Sequence, residues 1–287
     1  MRREGLHRTH LDILECVLTE ERTVSEIASH VGRSVPWTSE CVHHLVGMDL
    51  VVKNKDGLEV RVRRASNELS RSLEMLMVEA PMLNLPVMLD KAGLRLLPVL
   101  LDPGATAREV SRRTGLSMPT IRNKIRVWRG MGVVVRETGS KRYRINKAHR
   151  ELRSFVVHYS RWYNGRTLGD VLPEALIVWQ WRDEYLFSID ERVDLPGFPS
   201  AGPSRLEELG YEVLHLREYY FHHPFIDVVS EEEALVQSLR TDPNNPRIER
   251  FIVEGVENRG ADARAILEFG RKYGLKKALE KVVGDLG

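Results

Sequence analysis

One stretch of this 287-residue chain is written twice. Thr23, Glu26, Gly32, Ser34, Pro36, Gly47, Met48, Val51 and Val52 recur 83 residues later, without a gap, as Thr106, Glu109, Gly115, Ser117, Pro119, Gly130, Met131, Val134 and Val135. These 9 identities fall in 30 aligned positions. Only two copies exist, and their spacing is long, so the pattern marks a duplicated domain rather than a solenoid. Each copy must bury its own core, and the remaining length leaves room for a further domain.

The spacing within each copy predicts a helix, a tight turn and a second helix. Thr23 and Thr106 are placed to cap a short helix, with Glu26 and Glu109 three residues on to complete a capping box. Val24, Ile27, Ala28 and Val31 form a helical stripe. Gly32 and Gly115 stand where the turn needs a left-handed backbone. Ser34 and Ser117 then cap the next helix, with Pro36 and Pro119 in its first turn. Two β-rich segments follow in each copy, residues 50–53 with 58–62 and 133–136 with 142–145, around turns at 54–57 and 137–140. Helices over 6–18 and 93–101 precede the units.

A helix, a helix-turn-helix and a β-hairpin in that order resemble the winged-helix DNA-binding domains of bacterial and archaeal transcription regulators. The resemblance covers residues 6–147 and implies duplex DNA as the partner. It also implies binding as a homodimer to paired half-sites, because dimers of such modules match two-fold operators.

Charge separates the two copies. Residues 1–65 carry 10 Lys/Arg and 10 Asp/Glu, whereas residues 92–150 carry 14 and 3, and residues 151–287 carry 17 and 24. A strongly cationic segment attracts polyanions. The second helix of the later copy offers Thr120, Arg122, Asn123, Lys124, Arg126 and Arg129, behind the cap Ser117. Arg suits guanine and Asn suits adenine in the major groove. Arg108, Arg112 and Arg113 from the preceding helix, and Arg136, Lys141, Arg142 and Arg144 from the hairpin, are expected at phosphates or the minor groove. The earlier copy presents Trp37, Glu40, His43 and His44 instead. It either assists through hairpin cations such as Lys53, Lys55, Arg61, Arg63 and Arg64, or serves as a dimer or partner surface. Cys41, His43 and His44, with Cys16 and His30, are nitrogen and sulfur donors. The adjacent histidines diverge, however, and no metal or cofactor is assigned.

Residues 66–91 read as a connecting amphipathic helix ended by Pro81 and Pro86. Residues 151–287 open with a helix. Strands are expected at 175–181, 185–189, 211–216 and 226–229, and helices at 204–209, from Ser230, and over 247–257, 261–273 and 275–283. Ser230, Glu231, Glu232, Glu233 and Ala234 opening one helix, and the later Phe269 to Leu275 stretch, resemble the C-terminal region of antitoxins of type IV toxin–antitoxin systems. Those proteins pair one winged helix with an α/β domain and repress their own transcription; here there are two candidate winged helices, and no site residue is transferred. The acidic residues Asp183, Glu184, Asp190, Glu191 and Asp194 are expected in solvent. His215, His222 and His223 are expected on a half-buried strand.

The expected fold is α+β: winged-helix domains at 1–65 and 92–150 joined by a linker at 66–91, then an α+β interaction or regulatory domain at 151–287. Phosphate-binding glycine motifs, Asp-x-Asp and Glu-x-Lys spacings of metal-binding carboxylates, and nucleophile-elbow or zinc-protease motifs are all missing from the sequence, so no enzyme is expected. Apolar runs too short to cross a bilayer and only two cysteines fit a cytoplasmic protein without a membrane partner. A protein partner for residues 170–287, as in an antitoxin or scaffold, and a nucleic-acid-processing enzyme remain the alternatives.

Overall fold

A computed structural model describes residues 5–56 and 59–284. The chain is mixed α and β, with small antiparallel sheets, and divides into two compact units, Met1–Trp162 and Tyr163–Gly287. Among the described residues no helix is long and apolar enough to cross a membrane.

In the first unit, α1 (Arg8–Cys16), β1 (Arg22–Thr23), α2 (Val24–Val31), α3 (Val35–Gly47), β2 (Val51–Asp56) and β3 (Glu59–Arg64) form the earlier repeat. After α4 (Glu68–Glu79) and α5 (Leu85–Met88), the later repeat runs through α6 (Lys91–Leu96), a 3-10 turn (Pro98–Leu100), α7 (Ala107–Thr114), α8 (Met118–Gly130), β4 (Val134–Arg136) and β5 (Tyr143–Ile145). The duplication extends to the caps. Thr23 and Thr106 each accept the N–H three residues on, and Glu26 and Glu109 each return a carboxylate to the cap N–H. Gly32 and Gly115 both end their helices with φ near +63° and +64°. The earlier hairpin is longer, in sheet order β1-β3-β2, with Asn54 opposite Arg61 and Lys55 opposite Val60. The turn expected at 54–57 is therefore corrected: strand pairing carries through Asn54 and Lys55, and Gly57 and Leu58 lie outside the described residues. The helix expected at 93–101 is broken because Pro98 has no N–H to continue the ladder.

Burial pushes the Glu109 carboxyl up, but the Thr106 N–H and hydroxyl and the Arg142 guanidinium more than offset this and hold it below the ordinary glutamate range. A depressed native pKa contributes stability that is full above the unfolded-state value and is lost as pH falls through the native one. Thr106→Ala is therefore expected to destabilise the first unit by about 1 kcal/mol at neutral pH. The deficit narrows in acid, and denaturant titrations at neutral and acid pH measure both.

The helix α9 (Arg150–Gly169) contains the division between the units. In the second unit β6 (Leu176–Trp181), β7 (Glu184–Ile189) and β8 (Glu218–His222) form an antiparallel sheet with β7 central. The helices α10 (Gly202–Glu208), α11 (Glu231–Thr241), α12 (Pro246–Glu254), α13 (Ala263–Tyr273) and α14 (Lys276–Val283) complete it. All six residues of β7 are buried, because both faces are covered. Trp179, Leu186 and Phe221 pack with Leu235, Ile252 and Leu279 of the helices on one side. Tyr185, Phe187 and Tyr220 pack with Leu168 on the other. The strands expected at 211–216 and 226–229 do not form, and Glu218–His222 supplies the third strand instead. The aromatic run Tyr219, Tyr220 and Phe221 fills both faces of the sheet position, while Leu214 and Leu216 stay 87% and 99% exposed in a loop.

Candidate nucleic-acid interface

Ile121, Ile125 and Trp128 form the buried stripe of α8 and fix which way the helix is rolled. Arg122, Arg126 and Arg129 each follow one of these positions and so emerge on the outward side, where all three are exposed. The Ser117 hydroxyl accepts the Thr120 N–H, and the two hydroxyls lie 2.9 Å apart, so both residues organise the first turn of the helix. Arg126 donates to Asn123 Oδ1 at 2.8 Å, which holds the two side chains as a pair on the open face. The hairpin is tightened by Arg136 Nε donating to the Ser140 carbonyl at 3.0 Å and by Ser140 Oγ against Glu137 at 3.1 Å.

These elements enclose an open concavity of about 970 Å³. Arg108 of α7, Arg122, Arg126 and Arg129 of α8, and Arg136 and Lys141 of the hairpin line it, with Met118, Ile125 and Tyr143 as apolar floor. No carboxylate lines it. Arg108, Arg122, Arg129 and Lys141 make no ion pair with another described residue, so their charges face solvent uncompensated. Three segments separated in sequence thus aim cations at one space, in which a polyanion meets a focused positive field.

The sequence places more residues here than the structure does. Lys124 is turned away: its ammonium is bound by Asp90 and by the Val87 carbonyl at 2.9 Å, and its side chain is only 14% exposed. Arg142 donates to Gly104 O at 2.9 Å and Glu109 at 2.8 Å, and Arg144 reaches Asp102 at 3.4 Å. These three guanidinium and ammonium groups fasten the hairpin and α8 to the body of the repeat. Arg112 is exposed and Arg113 half-buried on α7, outside the concavity lining. Of the three supporting-helix arginines, Arg108 is the one that lines it, from the first turn of α7 two residues after the Thr106 cap. Lys124→Ala is expected to destabilise the first unit by about 1–3 kcal/mol, since Asp90 and the Val87 carbonyl lose their donor. Unfolding titrations check this.

The earlier repeat offers a different surface. Trp37, Glu40 and His43 are exposed on α3. The hairpin arginines are neutralised locally: Arg61 by Glu59 at 3.0 Å, Arg63 by Glu21 at 3.3 Å and Arg64 by Glu74 at 3.2 Å. Lys53 and Lys55 remain as its exposed cations. Among the nitrogen and sulfur donors, His30 and His43 are exposed on other faces, whereas Cys41 is buried beside His7 and His10. Burial, then the neighbouring His7 and His44 rings, lower the His10 pKa to about 3.

In the second unit the acidic run is not uniformly in solvent, as the sequence suggested. Glu184 is buried, 2.9 Å from Lys272 and 3.3 Å from His223. His215 instead pairs with Glu207 at 3.2 Å, so the three histidines do not converge on one ligand site.

Comparison of the chain with protein-family models and with curated proteins finds no match.

Proposed function

We propose that the chain is a DNA-binding transcription regulator built from two winged-helix modules and a C-terminal interaction domain, with the later module gripping the duplex. α8 enters the major groove with Arg122, Arg126 and Asn123 toward base edges. Arg136 and Lys141 of the wing and Arg108 of α7 contact phosphates and set the register. The observation that carries this reading is the concavity bordered by six cationic side chains from three elements and by no carboxylate. A homodimer on two half-sites supplies specificity beyond what one helix reads, and no catalytic step is assigned.

Fluorescence anisotropy of a labelled random-sequence duplex, titrated at several salt concentrations, tests it. Affinity is expected to fall steeply with salt, by about 0.9 in log–log slope for each phosphate contacted. Salt-independent or undetectable binding contradicts the reading. A second reading, in which residues 170–287 hold a protein partner, draws support from Leu214 and Leu216, both nearly fully exposed on one loop. It predicts a stoichiometric protein complex that forms without DNA and is lost in Leu214→Asp with Leu216→Asp.

A further inference from the structure

The duplication exposes a second site. In the later repeat Asp90 caps α6 and its carboxylate meets Lys124 of α8. Shifted back by 83 residues, these positions are His7, which caps α1, and Cys41 of α3. The ion pair that fastens the leading helix of one repeat to its outward-facing helix is thus replaced, in the other, by an imidazole and a thiol. His10, one turn along α1, joins them: its Nδ1 accepts the His7 backbone N–H at 3.3 Å, and the His7 and His10 rings stack at 3.6 Å. His44, one turn beyond Cys41, stacks on His10 at 4.5 Å.

We propose that His7, His10 and Cys41 bind a divalent transition-metal cation of the zinc type, which clamps α1 to α3. One donor atom from each of the three residues lies within 4.8 Å of the others. Tetrahedral zinc holds sulfur at about 2.3 Å and nitrogen at about 2.0–2.1 Å, which sets donors about 3.4–3.6 Å apart, so these donors need to close by at most about 1.4 Å. Two imidazoles and a thiolate suit zinc or cobalt and do not suit magnesium or calcium, which take oxygen ligands. A water completes four ligands. His10 and Cys41 are buried, while His7 is exposed, as is Trp37, whose ring stacks on His7 at 6.2 Å, so the ion has a route in from solvent. Binding replaces the thiol S–H bond of Cys41 with a metal–sulfur bond and releases one proton to solvent. The cation supplies the positive charge that Lys124 supplies in the other repeat.

Cobalt(II) is the probe, added to the chelator-treated full-length chain and followed by absorption. One equivalent is expected to bind with intense visible d–d bands and a thiolate-to-cobalt charge-transfer band, which zinc then bleaches. Cys41→Ser abolishes the charge-transfer band, and Cys16→Ser keeps it. His7→Ala, at an exposed position, weakens binding by about tenfold or more, because losing a ligand outweighs losing a partner of a ligand. Absence of a thiolate band at one equivalent, or a band that survives Cys41→Ser, overturns the proposal. If Cys41→Ser does not fold, His7→Ala decides alone, and unchanged cobalt affinity in that variant overturns it.

Discussion

Arg122→Ala combined with Arg126→Ala is expected to lower affinity for the preferred duplex by about a hundredfold or more, since each base-reading arginine is worth about 1–3 kcal/mol. The same double variant should bind unrelated sequences only slightly less well, so the ratio between specific and non-specific affinity collapses. The reason is positional. Both side chains stand on the outward side of α8 at the concavity, and Arg126 holds Asn123 in a fixed relation to it. Neither is tied to a carboxylate among the described residues, so each loses little on meeting DNA. Lys141→Ala supplies the contrast. A hairpin lysine contacting phosphate weakens all sequences alike and reduces the salt slope by about 1. Duplexes selected from a random pool, titrated against the three proteins, separate the two behaviours. A double variant that keeps its sequence preference would remove α8 from the reading role.

The second large effect concerns stability. Lys272→Met is expected to destabilise the second unit by about 3–5 kcal/mol, the usual consequence of removing one partner from a buried ionic group. Lys272 Nζ lies 2.9 Å from Glu184 and 2.8 Å from Glu233, and Glu233 is 2% exposed. Tyr273 donates to Glu233 at 2.8 Å and accepts from Gln237 at 2.8 Å. Burial, then the Glu233 carboxylate, push the Tyr273 phenol well above its ordinary range, so it remains a donor. Without the ammonium, two buried carboxylates lose the lysine charge that both contact, and Glu233 keeps only neutral donors such as Tyr273. Methionine keeps most of the volume beside Trp179 and Phe221, rings that Lys272 overlies at 5.9 and 4.9 Å, so packing is not the main loss. Adding Glu184→Gln to Lys272→Met should recover part of the deficit. Chemical unfolding of the three proteins, followed by hydrogen exchange in α11 and β7, measures it. A change under about 1 kcal/mol would place the cluster among weak surface pairs.

The local structure of the repeats was legible because it is set by near neighbours. The Thr–Glu caps, the left-handed glycines and the 13-residue second helices of both copies depend on residues within a few positions of one another. Which cations face outward was only half legible. Arg122 and Arg126 follow from the roll of α8, which its own apolar stripe dictates. Lys124 was misread because its partners, Asp90 and Val87, lie more than thirty positions upstream. Arg142 and Arg144 were misread for the same reason, their acceptors being Gly104, Glu109 and Asp102. Glu184 looked like one member of a solvated acidic turn, and nothing local announces that Lys272 and His223 meet it. The third strand of the second unit was misplaced because residues 211–216 carry strand-like composition, while pairing with β7 goes to the aromatic run after them. His7 and His10 escaped notice although their spacing puts both near the start of one helix. Their connection to Cys41 depends on how α1 and α3 pack.

Photocrosslinking tests most directly whether the later repeat holds the duplex. A benzophenone side chain is placed in turn at positions 123, 141 and 37 of the full-length chain, and each protein is irradiated with bound DNA. Grip by the later repeat predicts DNA adducts from positions 123 and 141 and none from position 37. Adducts from position 37 alone, or from none of the three with DNA demonstrably bound, would contradict it.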